Sequence, residues 1–219
     1  MMEIERRLDR RIITNPAFAI ETAHREAFAM TELAVQSTKM ALESLVNANG
    51  KMAKKVIGNE QVVNQYEKMI TTFLVDVDNA PLVESQHEMV KNLFYIISDA
   101  ERIGDHAEHI ARLSLNKINE KTEFSNKGNK DLDKIMKETI TLLDLMLESF
   151  NEKSTEAIKR ADKLENKIDE MEEELRGKHI QRLSKGKCSP ANGVIFLGAI
   201  SNLERISNHA NNIVNYVEP

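Results

Sequence analysis

The chain carries an internal duplication. Two ten-residue stretches, ERIGDHAEHI at 101–110 and ERISNHANNI at 204–213, agree at six of ten positions and lie 103 residues apart. The segment E-x-x-V-N-x-x-E at 60–67 recurs as E-x-x-I-D-x-x-E at 165–172, an offset of 105, and a Leu-Glu-Ser tripeptide recurs at the same offset. Three matches in one order are hard to produce by chance. The sequence therefore predicts that each half folds into the same unit of about 100 residues.

Long helical patterns run through both halves. Charged residues make up 30% and hydrophobic residues 41% of the chain, with four prolines and eight glycines, which is typical of long soluble helices. Because successive helices are joined by short connections, we predict an all-α fold of two tandem antiparallel three-helix bundles. The predicted segments are a lead-in at 1–15, a first bundle at 16–119, a polar linker at 120–130 and a second bundle at 131–219.

Charge and cysteine content exclude some classes of protein. The net charge is -5 and no segment carries a dense basic stripe, which argues against a nucleic-acid binder that neutralises phosphates. A single cysteine predicts a reducing compartment. No stretch is apolar over the 18 or so residues that span a bilayer. The opening MEIERRLDRR contains four arginines, so it could lie just inside a membrane after a spanning segment or be an ordinary exposed helix start.

Acidic residues recur at the same places in both halves. They are spaced i, i+4, i+7, so each set forms one row along a helix, which we expect roughly opposite the core. Paired carboxylates on neighbouring helices offer oxygens to a divalent cation, although most such rows are simply solvated. Glu108 with Arg112 and Glu172 with Arg176 are expected to be ordinary i, i+4 ion pairs. Glu101, Asp105, Glu165 and Asp169 lack such a basic partner, so these four carry what specificity the spacing has.

An enzyme is the less favoured interpretation. A ferritin-like metal enzyme would use Glu-x-x-His pairs, but the match at Glu84 and His87 is not repeated in the second half. His106 and His209 are equivalent and could cap a cation or bond a neighbouring carboxylate, which is the commoner fate. The sequence contains no Gly-rich phosphate loop, nucleophile elbow or Cys-His arrangement. We therefore expect no catalytic residues.

Both signature stretches, with E-x-x-(I/V)-(N/D)-x-x-E about forty residues before each, resemble the PhoU family of phosphate-uptake regulators. The resemblance runs from about His24 to Tyr216 and implies two tandem three-helix bundles. It also implies that iron, zinc or a similar ion binds through repeated E(D)-x-x-x-D pairs on the bundle surface. By this resemblance, the candidate metal-binding residues are Glu60, Glu101, Asp105, Glu165, Asp169 and Glu204. The chain departs from that pattern at Asn64 and Asn208, which offer a carbonyl oxygen but no charge, so each half keeps three carboxylates of four.

The segment LDRRIITNPAFAIETAHREAFAM resembles the junction between the membrane part and the PhoU-like domain of bacterial sodium/phosphate cotransporters. This resemblance implies a cytoplasmic regulatory domain at the inner face of the membrane, with the transporter's membrane part as partner and with self-association. The alternative is a free-standing regulator of an ABC phosphate transporter and its sensor kinase. A carboxylate metal hydrolase or oxidase and a bare helical scaffold remain as other classes.

Overall fold

Helices make up nearly all of the described part of the chain. The computed structural model describes residues 2–150, 155–186 and 188–217, and within them no strand is present. No helix among these residues has the length and apolar composition needed to cross a bilayer. The helices are α1 (Met2–Arg7), a 3-10 helix (Arg10–Thr14), α2 (Pro16–Asn47), α3 (Gly50–Asp78), α4 (Glu84–Asn119), α5 (Asn126–Ser149), α6 (Thr155–Ser184) and α7 (Pro190–Val217).

Side-chain caps set the ends of several helices. The side-chain oxygen of Asn15 accepts from Phe18 N at 3.3 Å, with Pro16 at the first helical position. Ser125 Oγ likewise accepts from Gly128 N at 3.1 Å and starts α5 at Asn126. The sequence prediction placed this start at Asp131, so the linker predicted at 120–130 is shorter in the structure. The error arose because the first turn of α5 is polar and mostly exposed and therefore shows no apolar periodicity.

The two halves fold as predicted. α2, α3 and α4 pack into one three-helix bundle, and α5, α6 and α7 pack into another. The buried positions repeat at the offsets of the duplication. In the signature helices α4 and α7, for example, Ile103 and Ala107 are fully buried, and so are their counterparts Ile206 and Ala210. Equivalent residues therefore build equivalent cores.

The lead-in packs against the first bundle. Ile4 is buried in it, and three further apolar side chains, Leu8, Ile12 and Ile13, are partly buried against the core. Arg7 Nε lies 2.8 Å from the buried carboxylate of Glu26, and Arg10 Nε lies 2.7 Å from Asp76. The sequence prediction offered a juxtamembrane segment or an exposed helix start. It did not foresee this packing, because the two acids that receive the arginines belong to α2 and α3.

α4 and α7 join the bundles through reciprocal contacts. His106 Nδ1 lies 2.8 Å from Asn202 Oδ1, and His209 Nδ1 lies 2.7 Å from Asp99 Oδ1. Asp99 and Asn202 are 103 residues apart, as are His106 and His209. Each contact is therefore the counterpart of the other in the duplicated chain. The imidazole rings stack on each other with centroids 5.6 Å apart. Burial is the main cause that lowers the pKa of His106, which favours its neutral form.

Candidate functional site

The acidic rows of the first half meet where α3 crosses α4. The helices approach closely beside them, because a Cβ added at Gly104 would lie only 3.2 Å from Val63 Cγ1. All six side chains of the two rows are half-buried. We call them the first carboxylate cluster: Glu60, Asn64 and Glu67 of α3, with Glu101, Asp105 and Glu108 of α4.

The second half repeats this arrangement between α6 and α7. Ile168 and Ser207, the counterparts of Val63 and Gly104, are both fully buried there. Of the six row residues, five are half-buried and Glu172 is buried. We call them the second carboxylate cluster: Glu165, Asp169 and Glu172 of α6, with Glu204, Asn208 and Asn211 of α7.

The sequence prediction placed these rows on the outer face of each bundle, roughly opposite the core. In the structure they do not lie on a free face. They border a contact between two helices, where part of each side chain is withdrawn from water. Spacing along one helix gives the direction of a row but not how closely the neighbouring helix approaches it. That difference matters because partial burial makes carboxylate charge more costly.

In the first carboxylate cluster, two carboxyl groups are pushed towards their neutral form. Burial raises the pKa of Glu60, and the charges of Glu108 and Asp105 raise it further. Burial also raises the pKa of Glu101, with Asp105 and then Glu67 adding to it. These influences cross from one helix to the other, which places the two rows within electrostatic reach of each other.

The second carboxylate cluster behaves in the same way. Burial raises the pKa of Glu165, followed by the charges of Asp169, Asp162 and Glu204. Burial raises the pKa of Asp169 as well, and the charges of Glu204 and Glu172 add to this. Both clusters thus hold more negative charge than their surroundings compensate, and a cation placed between the rows would relieve it.

This crowding predicts an unusual pH dependence for metal-free protein. A carboxyl group whose folded pKa is raised contributes stability that is fully present below its ordinary value of about 4.5 and is lost as pH rises through the folded pKa. We expect Glu101→Gln to stabilise the protein at pH 7.5 by about 0.5 kcal/mol, since each like-charge contact costs a few tenths. The gain should vanish near pH 4.5. Thermal unfolding in chelator at both pH values measures it.

Glu88 is an exposed glutamate on the same helix and provides the control. Glu88→Gln should leave the unfolding temperature nearly unchanged at either pH. If Glu101→Gln lowered stability equally at both pH values, the crowding argument would be wrong.

Buried oxygen atoms without a donor lie in both clusters. In the described part of the chain, Asn64 Oδ1, Asp169 Oδ1, Asn208 Oδ1 and Asn211 Oδ1 are inaccessible to solvent and accept no hydrogen bond. Buried acceptors are nearly always satisfied, so each such atom calls for an explanation. Oxygen acceptors beside half-buried carboxylates have the chemistry that a hard divalent cation requires. The residues present therefore fit a metal ion in kind.

The two asparagines also act on the carboxylates beside them. Asn64 Nδ2 donates to Glu60 Oε1, and Asn208 Nδ2 donates to Glu204 Oε1 at 2.7 Å. Each amide thus occupies a carboxylate oxygen that a cation would otherwise bind. Within the described ranges, no three His, Cys, Asp or Glu side chains converge into a closed metal site. A bound ion would therefore require these amides to turn away.

Both predicted ion pairs are present. Arg112 Nη2 lies 2.6 Å from Glu108 Oε1, and Arg176 pairs with Glu172 in the same way. These glutamates consequently have a cationic partner already. The six candidate metal-binding residues are divided equally between the clusters, three in each, and their role stays a prediction.

The histidines considered as ligands lie elsewhere. His106 and His209 bond Asn202 and Asp99 in the contact between the bundles, not the carboxylates of their own rows. His87 bonds the exposed carboxylate of Asp78 at 2.9 Å. Sequence reasoning overlooked Asp99 and Asn202, although their separation of 103 residues and their place seven positions before the two histidines were available as a signal.

The fold consists of two three-helix bundles, each with a carboxylate cluster. It defines a class of all-α proteins built by duplication. The PhoU domain matches the chain twice, at residues 29–114 and 132–217. The chain belongs to the PhoU family.

Curated relatives and solved structures are similar over most of their length. The phosphate-specific transport system accessory protein PhoU homolog 1 of Thermotoga maritima is 28% identical over 198 residues, covering 86% of this chain and 82% of that protein. A homolog from Clostridium acetobutylicum is 25% identical, covering 89% and 88%. The crystal structure of PhoU from Pseudomonas aeruginosa has a TM-score of 0.85 at 21% identity, over 90% of this chain and 94% of that one. PhoU from Streptococcus pneumoniae has a TM-score of 0.82 at 23% identity, covering 93% and 95%.

Proposed function

We propose that this protein regulates phosphate transport by binding to other proteins and not by catalysis. The observation that carries the proposal is its similarity, across both bundles, to proteins named as accessory components of phosphate-specific transport systems. Long helices with exposed outer faces suit docking. We also expect self-association, which a solution mass above the 24.9 kDa of one chain would support.

Two kinds of transporter could be the target. The similarity over 82% and 88% of the length of these accessory proteins favours a separate regulator acting on an ABC phosphate transporter and its sensor kinase. The segment resembling a cotransporter junction favours regulation of sodium-coupled transport at the inner face of the membrane. The docked lead-in gives this second candidate a structural basis, since movement upstream of Arg7 would act directly on Glu26 of the first bundle.

We further propose that the two carboxylate clusters hold divalent cations that stabilise the bundle surface. Their donors are oxygens only, which suit a hard divalent cation such as magnesium or manganese, while the family resemblance implies iron or zinc. The alternative, a carboxylate metal hydrolase or oxidase, would turn over a phosphoester or reduce oxygen when loaded with metal. Its turnover would be lost in Glu101→Gln and Asp105→Asn. Metal-loaded protein without turnover would end that alternative.

Uptake measurements test the proposed function. Deleting the gene in its host should change the rate of radioactive phosphate uptake severalfold when phosphate is plentiful, because the regulator no longer restrains the transporter. Performing the assay with and without sodium separates the candidates. If the altered uptake is independent of sodium, the separate regulator is supported; if it requires sodium, the cotransporter domain is supported.

The matched control is the same strain complemented with the intact gene, which should restore the original rate. Unchanged uptake in the deletion strain under both sodium conditions would contradict regulation of phosphate transport by this chain.

A further inference from the structure

The duplication allows the same end of the two bundles to be compared. In the first bundle, the lead-in packs where α2 begins and α3 ends. There Arg7 meets the buried Glu26 and Arg10 meets Asp76. This end of the first bundle is therefore acidic and is covered by a basic segment of the chain itself.

In the second bundle, the corresponding end has the opposite charge. Asp131 stands 105 residues after Glu26 and is equally buried, but its partner is Arg182 of the same bundle, with Nη1 and Oδ2 2.9 Å apart. Arg182 and Gln181 stand 105 residues after Val77 and Asp76. A basic side chain has thus replaced the apolar Val77, and a neutral one has replaced Asp76, which pairs with the lead-in.

This end of the second bundle contains an open basic pocket. It has a volume of about 370 Å³ and no carboxylate among its lining residues, and a second pocket of about 290 Å³ adjoins it through Ser125 and Arg182. Glu123 is the acidic residue lining that second pocket. We call the first of them the basic pocket; it is lined by Ser125, Lys127, Lys178, Gln181, Arg182 and Lys185.

The positive charge of the basic pocket is only partly compensated. Lys178 Nζ lies 2.5 Å from Glu174, and Arg182 is paired with Asp131. Across the described part of the chain, Lys127 and Lys185 make no ion pair. Lys127 also stands in the first turn of α5, where backbone N–H groups have no partner inside the helix and favour anions.

Arg182 is held in a fixed orientation with donors to spare. Its guanidinium donates to Asp131 and, over 3.3 Å, faces His179 Nδ1, and it lies 5.2 Å from the ring centroid of Phe196. Burial, followed by the charge of Arg182, lowers the pKa of His179 and so favours its neutral form, whose Nδ1 can accept from the guanidinium. A guanidinium has five N–H donors, so several remain for a ligand.

We propose that the basic pocket binds a phosphoryl oxyanion, either free phosphate or the phosphate groups of a small molecule. A fixed arginine, two unpaired lysines and a helix start are the groups that hold such anions in proteins. A second basic segment like the lead-in would be repelled here, since Lys178 occupies the position of the apolar Phe73 and Arg182 that of Val77. The proposal goes beyond the proposed function, because it does not depend on which transporter the chain contacts.

Titration calorimetry with intact, chelator-treated protein tests the proposal. Inorganic phosphate, diphosphate and ATP are titrated separately at low salt, so that free phosphate is distinguished from a phosphoryl compound. We expect at least one of them to bind at one site per chain. The double variant Lys127→Gln, Lys185→Gln should weaken that binding about tenfold or more, since it removes two charged contacts to the anion. Both lysines are exposed, so folding should be unaffected.

The control is Lys163→Gln. Lys163 is exposed and lies on α6, as Lys178 does, about 22 Å from it at 1.5 Å per residue. It should bind as tightly as the unmodified protein. Equal weakening by Lys163→Gln would indicate diffuse charge attraction and overturn the proposal. So would the absence of heat with all three anions, or unchanged binding in the double variant. Movement of the Lys127 amide resonance on titration would place the anion at the start of α5.

Discussion

Replacing Asn64 and Asn208 with aspartate is expected to raise the affinity of each carboxylate cluster for a divalent cation by about tenfold or more. An added carboxylate contributes an anionic ligand, and a charge-assisted contact of this kind stabilises by roughly 1.5 to 3 kcal/mol. The substitution also removes the amide that donates to Glu60 or Glu204 and so competes with the ion. Charge count is a main determinant of cation affinity in oxygen sites.

Equilibrium dialysis followed by elemental analysis measures this effect. The control is Asn116→Asp, which adds the same charge at an exposed position of α4. It should leave the metal content unchanged. If the variants at 64 and 208 bound no more metal than the control, the clusters would have to be regarded as bare scaffold.

The second large effect is expected at Asp131. Its side chain is 9% exposed and that of its partner Arg182 is 13% exposed, so Asp131→Ala leaves a charge without its partner in a largely buried place. Removing one member of such a pair costs about 3 to 5 kcal/mol. For a chain of this size, that loss lowers the unfolding temperature by roughly 6 to 20 °C.

Asp133→Ala is the matched control, because Asp133 lies on the same helix and forms an exposed pair with Lys137. It should cost less than about 1 kcal/mol. The double variant Asp131→Ala, Arg182→Val, which introduces the residue found at the equivalent position of the first half, should recover much of the loss. Denaturant unfolding measures all three. Similar losses for Asp131→Ala and Asp133→Ala would show that burial of the pair contributes nothing.

The helices and their grouping could be predicted from the sequence. The apolar spacing in α4 and α7 is determined by burial within one bundle, and Asn15 with Pro16 marks the start of α2. The ion pairs of Glu108 and Glu172 were also predictable, because both partners lie on one helix four residues apart. Each of these features depends on residues that are near each other in the chain.

Features that depend on distant partners were not predictable from one sequence. The half-burial of the carboxylate clusters follows from how closely α3 approaches α4 at Gly104. The docking of Arg7 on Glu26 and the bond from His209 to Asp99 join residues far apart in the chain. A repeat fixes which positions are equivalent, but not which of them face a neighbouring helix.

The exchanged contacts of α4 and α7 are those that two identical subunits make about a two-fold axis. A shorter ancestor with a single bundle would have carried both sides of that contact and could have paired with its own copy. Joining two such genes makes the association independent of concentration. Each half can then accumulate its own substitutions. Asp99 of the first half and Asn202 of the second are equivalent positions that now carry different residues.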